Sequence, residues 1–132
     1  MLKYMLDTNI VIYVIKLRPI EVRDTFNENA GLMCISSITL AELLHGAEKS
    51  DYPARNLRKV EDFVSRLEVA DYDSAAAGHY GEIRSDLEKK GTPIGVNDLH
   101  IAGHARSLSL TLVSNNMREF ERVGGLRLDN WV

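Results

Sequence analysis

Five short runs of strand length punctuate the chain, and stretches with helical spacing fill the intervals between them. The runs read YMLD at residues 4–7, LMCISS at 32–37, VADYD at 69–73, LTLVSNN at 110–116 and GLRLDNWV at 125–132. Between them lie TNIVIYVIK, a helix opened by Pro19, then ITLAELLHGAEKS, PARNLRKVEDFVSRLEV, SAAAGHYGEIRSDLEKKG, LHIAGHARSL and the short MREFERV. Leu57, Val60, Val64 and Leu67 recur at steps of three and four, as one buried helical stripe requires. Two lysines followed by Gly91 mark a helix end. Strands alternating with helices predict an α/β domain, with a mainly parallel central sheet of four to five strands flanked by helices in an α/β/α arrangement. No repeat, low-complexity tract or linker interrupts the pattern, so a single domain over residues 1–132 is expected.

The longest early apolar run, IVIYVI, falls far short of the ~20 residues that cross a bilayer, and no leader-like segment precedes it. A cytoplasmic protein with no membrane association is expected. Cys34 is the single cysteine, so an internal disulfide is excluded and a buried apolar role is expected. The formal net charge of −3 neither announces nor excludes a polyanionic partner, because local patches outweigh the sum.

Parallel sheets bind ligands at the carboxyl ends of their strands, and acids cluster at such places here. Asp7 ends the first run, where it can cap the following helix or bind a cation. Glu42 fits a capping box with Thr39, yet Leu40, Leu43 and Leu44 surround it, and an ionised acid beside an apolar face needs a partner. Asp98 belongs to a first helical turn, where the helix dipole favours an anion and where Asn97 or Asp98 can cap. Glu119 follows the fourth run, whereas Glu121 is read as surface. Each acid alone has a structural explanation. Together they fall at junctions along one sheet edge, and converging carboxylates raise one another's pKa unless they share a cation. Oxygen donors select Mg²⁺ or Mn²⁺ over zinc. His100 and His104 have the spacing of a zinc pair, but Asp98 lies more than ~100° around the helix from both, and no HExxH motif is present. These two, with His45 and His79, are read as core or surface histidines.

MLDTNIVIY, SSITLAELLHGAEKS, KKGTPIGVNDLHIAGHA and SNNMREFERVGGLRLDNW, in this order, resemble the VapC family of PIN-domain toxins. The resemblance spans residues 2–131. It implies a metal-dependent endoribonuclease, the toxin of a toxin–antitoxin pair, that cuts structured RNA such as the tRNA anticodon stem-loop, with initiator tRNA favoured. It places Asp7, Glu42 and Asp98 on Mg²⁺ or Mn²⁺, with Thr8, Asn9 and Ser114 as supports. The family's fourth acid falls on Asn116, also read as a support, so the nearby Glu119 is the expected substitute. A VapB-type antitoxin that blocks the acidic pocket is implied, as is a homodimer for which the apolar first helices are candidates. Lys16 and Arg18, Arg55, Arg58 and Lys59, and Lys89 and Lys90 form short basic clusters between the acids; each fits a solvated helix face, and some can contact flanking phosphates. Rival readings lack key residues. A haloacid-dehalogenase-type phosphatase needs an acid where Asn9 stands, and a receiver domain needs an acidic pair and a lysine that are absent. Three intact acids argue against a PIN fold that only binds.

Overall fold

The strand at the centre of the sheet, β1 (Tyr4–Leu6), sends Met5 to one face and Leu6 to the other, and both are fully buried. The same division holds in β2 (Met33–Ser36) and β4 (Thr111–Val113), which flank it. Cys34 and Leu112 enter the first core, while Met33, Ile35 and Val113 enter the second. Strands buried on both faces read as continuous apolar runs, which is why these three were legible. The edge strands β3 (Glu68–Ala70) and β5 (Arg127–Asp129) are partly exposed. The order is β3-β2-β1-β4-β5, and all four pairings are parallel. This computed structural model describes residues 1–17 and 19–132, so Arg18 lies outside the described residues.

Helices cover both faces. The core containing Leu6 takes its helical side chains from α1 (Thr8–Lys16), α2 (Ile20–Glu28), α3 (Ser37–Glu48) and α4 (Pro53–Val64). Phe26 and Phe63 meet there with ring centroids 5.4 Å apart. The core containing Met5 takes its own from α5 (Ser74–Lys89), α6 (Val96–Ser107) and α7 (Met117–Phe120). α5 and α6 approach closely because Gly103 has no side chain; a Cβ there would stand 2.8 Å from the Tyr80 backbone nitrogen. Gly91 has φ +70°, and the Thr92 amide donates back to the Leu87 carbonyl at 2.9 Å, so the helix stop read from the sequence is the one observed. The helix expected over 53–69 ends earlier, at Val64, and Leu67 reaches the same core from the turn beyond it.

Two caps differ from expectation. Ser36 leaves β2 in extended conformation and its Oγ accepts from the Ile38 amide at 3.1 Å, so it caps α3. No Thr39–Glu42 capping box forms, and Glu42 lies in the second turn rather than at the junction. Gly95, not Asn97 or Asp98, stands at the N-terminus of α6. Asp98 is therefore free of capping duty.

From β1 the chain builds outward through β2 to β3, then returns to add β4 and β5 on the other side. The order reverses between β1 and β4, and a crevice opens outside the carboxyl ends of two such strands.

Candidate active site

Asp7 follows β1 directly and Ser114 follows β4, so the switch in strand order brings them together. The Ser114 hydroxyl donates to Asp7 Oδ2 at 2.8 Å, and the Thr8 amide donates to Oδ1 at 2.8 Å. Asp7 is thus the N-cap of α1 and remains only 4% exposed. Burial pushes its pKa above the ordinary carboxylate value. The two hydrogen bonds oppose the shift, and the negative charge of Glu42 adds to it. Ser114 Oγ also accepts from the Asn116 amide at 2.9 Å, which ties the segment leading to α7 onto the same carboxylate.

Glu42 reaches the site from α3. Its Oε1 accepts from the Thr8 hydroxyl at 2.7 Å. The buried Thr39 hydroxyl lies 3.3 Å from Thr8 Oγ1 and continues the chain. Since the Thr8 hydroxyl has one proton, committed to Glu42, Thr39 is the donor of that second bond.

Asp98 is the third residue of α6, half-buried, and its carboxyl is pushed up to about 7. Burial is the largest cause; the charges of Asp7, Glu119 and Glu42 follow, and a hydrogen bond with Glu119 favours the protonated form. Asp98 Oδ2 lies 3.6 Å from where a Gly95 Cβ would be, so the missing side chain leaves room beside the carboxylate. Asp98 therefore senses the other three predicted acids at one edge of the sheet.

The fit to a divalent cation rests on this donor set: four carboxylates, oxygen only, with the charges of Asp7, Glu42 and Glu119 bearing on Asp98 until positive charge is shared. Among the described residues no three His, Cys, Asp or Glu side chains are gathered closely enough to grip an ion as they stand. Glu42 is held by Thr8 and Asp7 by Ser114.

Other predicted residues divide. Thr8 and Ser114 bond directly to the acids. Asn116 contributes its backbone amide and begins α7 without a side-chain cap. Asn9 is exposed on α1 and is not brought to the carboxylates. The histidines do not form a metal pair. Buried His104 bonds Ser36 Oγ through Nδ1 at 2.8 Å, and His100 bonds the Tyr72 hydroxyl at 2.8 Å while stacking on Tyr80 with centroids 4.1 Å apart. Burial holds both below the usual histidine pKa. Sequence reading missed the Ser36–His104 bond, which pins the helix carrying Glu42 to the helix carrying Asp98. The polar pattern offered no signal, because the two residues lie 68 positions apart.

A groove of about 310 Å³ opens beside Thr8 and Glu42, between α1, α3 and α4. Ile12, Leu43 and Val60 wall it, and Lys16 and Lys59 stand at its rim.

Comparison with known proteins gives a consistent result. The family model described as PIN domain matches residues 4–126. The chain is 64% identical to "Ribonuclease VapC2" of Haemophilus influenzae over 132 residues, the whole of both chains. It is 61% identical to "tRNA(fMet)-specific endonuclease VapC" of Shigella flexneri over 131 residues, 99% of each. Among solved structures it is similar to the DNA-bound VapBC of Salmonella typhimurium, with TM-score 0.96, 58% identity and full coverage of both chains.

Proposed function

We propose, for a chain that belongs to the PIN-domain family, that it is the ribonuclease toxin of a toxin–antitoxin pair, acting in the cytoplasm on structured RNA, with the anticodon stem-loop of initiator tRNA as its leading substrate. Its partner is a VapB-type antitoxin, as in the similar VapBC complexes. Homodimerisation through the apolar first helices remains part of this reading. No helix among the described residues is long and apolar enough to cross a membrane.

The single observation that carries the reading is the coupling of Asp7, Glu42 and Glu119 to Asp98 at the switch point of the sheet. Asp7, Glu42 and Asp98 would hold the divalent cation, Mg²⁺ or Mn²⁺, with Glu119 as the fourth carboxylate. When bound, such an ion supplies Lewis acidity to a phosphoryl oxygen and lowers the pKa of water at the site. The chain's own part is orientation. Ser114 and the Thr8 amide fix the two oxygens of Asp7, and the Thr8 hydroxyl fixes one oxygen of Glu42. Water adds to phosphorus and the bond to the 3′-oxygen breaks, leaving a 5′-phosphate and a 3′-hydroxyl. No 2′-hydroxyl takes part, so preference for RNA comes from shape and binding.

The test incubates the purified chain with tRNA in Mg²⁺, in Mn²⁺ and in EDTA, beside an Asp7→Ala control. Cleavage that needs the ion and Asp7, at one position in the anticodon loop, is expected. Cleavage in EDTA, or undiminished cleavage by the variant, would sink the mechanism.

A further inference from the structure

Beyond the metal-binding acids, the face formed by α1 and α4 carries a second groove of about 450 Å³. Its rim holds Arg55, Arg58 and Lys59, with Arg66 paired to Asp62 at 2.9 Å, over a floor that includes the buried Val14 and Phe63. It is continuous with the groove beside Glu42, because Ile15 and Lys59 line both. We propose that this joined groove is the track for the RNA backbone flanking the scissile bond, with Lys16 and Lys59 taking the phosphates nearest the carboxylates and Arg55 and Arg58 those farther out. The inference rests on the RNA-cleavage reading above and adds the surface that holds the substrate.

Three observations support it. First, the cations are unequally engaged. Arg84, Arg106 and Arg122 are tied by hydrogen bonds within the fold, to Tyr80, to His79 with Glu82, and to the Pro93 carbonyl. Lys16, Arg58 and Lys59 take no ion pair or side-chain hydrogen bond among the described residues. Arg55 lies over the exposed Tyr52 ring at 4.5 Å, an arrangement that also leaves its donors outward. Second, a chain of net charge −3 needs its positive potential concentrated where a polyanion lies, and this groove concentrates it next to acids that must approach a phosphodiester. Third, the row has the required length. Arg55, Arg58, Lys59, Asp62 and Arg66 fall along α4 and its end, with every step but that from Arg58 to Lys59 being three or four residues. At about 1.5 Å per residue they span roughly 16 Å, long enough to meet more than one backbone phosphate. The other basic cluster, Lys89 and Lys90, lines neither groove.

The test uses the full chain carrying Asp7→Asn, so that RNA is bound without being cut, and a hairpin RNA with the anticodon-loop sequence of initiator tRNA. Reversing Arg58→Glu together with Lys59→Glu should weaken hairpin binding at least ~10-fold. It should also reduce the slope of log affinity against log salt by about 1–2, at roughly 0.7–0.9 per lost phosphate contact. Thermal unfolding checks that the reversed chain folds; if it does not, the neutral Arg58→Gln, Lys59→Gln pair replaces it with a smaller expected loss. Unchanged hairpin affinity and salt slope overturn the proposal, as does a variant that loses only its affinity for an acidic protein partner. The two readings separate cleanly. If the unsubstituted chain cuts no RNA but the groove variants still weaken hairpin binding, the cleavage reading fails and the track stands. If cleavage is observed and the reversal leaves RNA binding intact, the track fails and the cleavage reading stands.

Discussion

Ser114 and Asp7, 107 residues apart in sequence, form a buried hydrogen bond of 2.8 Å that closes the central crevice of the sheet. It connects the ends of two adjacent parallel strands, and the same hydroxyl accepts the Asn116 amide. One oxygen atom thereby sets both a carboxylate and the start of the segment that carries Glu119.

Replacing Ser114 by Ala should leave a buried carboxylate oxygen and a backbone amide without their partner. Chemical denaturation is expected to show a loss of about 1–3 kcal/mol, and the cleavage rate should fall about 10–100-fold, as for other residues that orient a metal-binding group. Unchanged cleavage would remove Ser114 from any orienting role.

Asp98→Asn should stabilise the chain in EDTA, in a pH-dependent way. The folded carboxyl titrates near 7, far above its unfolded value of 3.8, so the folded state binds more protons between these limits. Wild-type stability must then fall as pH rises from about 4 to about 7 and level off above. The variant lacks this loss. Its advantage over wild type should open across that window and reach about 1–3 kcal/mol by pH 8, after allowance for solvent screening. Adding Mg²⁺ or Mn²⁺ should narrow the gap, because only the wild type regains a shared cation. A constant gap from pH 4 to pH 8 would contradict the coupling.

Glu119→Gln should reduce cleavage more than ~10-fold, while Asn116→Ala should cost less than ~3-fold. Glu119 carries charge that Asp98 senses, whereas Asn116 acts through its backbone. Loss in neither variant would mean that three acids suffice.

Gly103→Ala should destabilise by about 1–3 kcal/mol, because the new methyl group would meet Tyr80 and Ala76 backbone atoms at 2.8–3.2 Å. Gly81→Ala, on α5 with open space around it, should be neutral or stabilise by up to about 1 kcal/mol. Comparable melting temperatures for the two would show that α5 and α6 are less closely held than the structure indicates.

Much of this architecture was legible because apolar runs and helical stripes report burial directly. Met5 and Leu6, Met33 to Ile35, and Leu112 and Val113 are apolar throughout because both sheet faces are covered, and Asp7 stood out by ending such a run. What failed were choices among local alternatives. Thr39 and Glu42 satisfy the capping-box pattern, but Ser36 already occupies the capping position, and Glu42 is drawn to Thr8, 34 residues away. Asn97 and Asp98 both look like caps, yet the chain turns at Gly95. The roles of Asn9 and Asn116 could not be separated by sequence, since an exposed side chain and a working backbone amide leave the same letter. The basic clusters looked equivalent until α1 and α4 were seen to share a groove.

The return of the chain to β4 after β3 is complete has a consequence for synthesis. Asp7 and Glu42 emerge from the ribosome early, but the strand that seats beside β1, and with it Ser114 and Glu119, comes from the last quarter of the chain. A nascent polypeptide lacking that strand has an open sheet edge, no Glu119 and no Ser114 hydroxyl to orient Asp7. The site is therefore completed only when translation is almost finished.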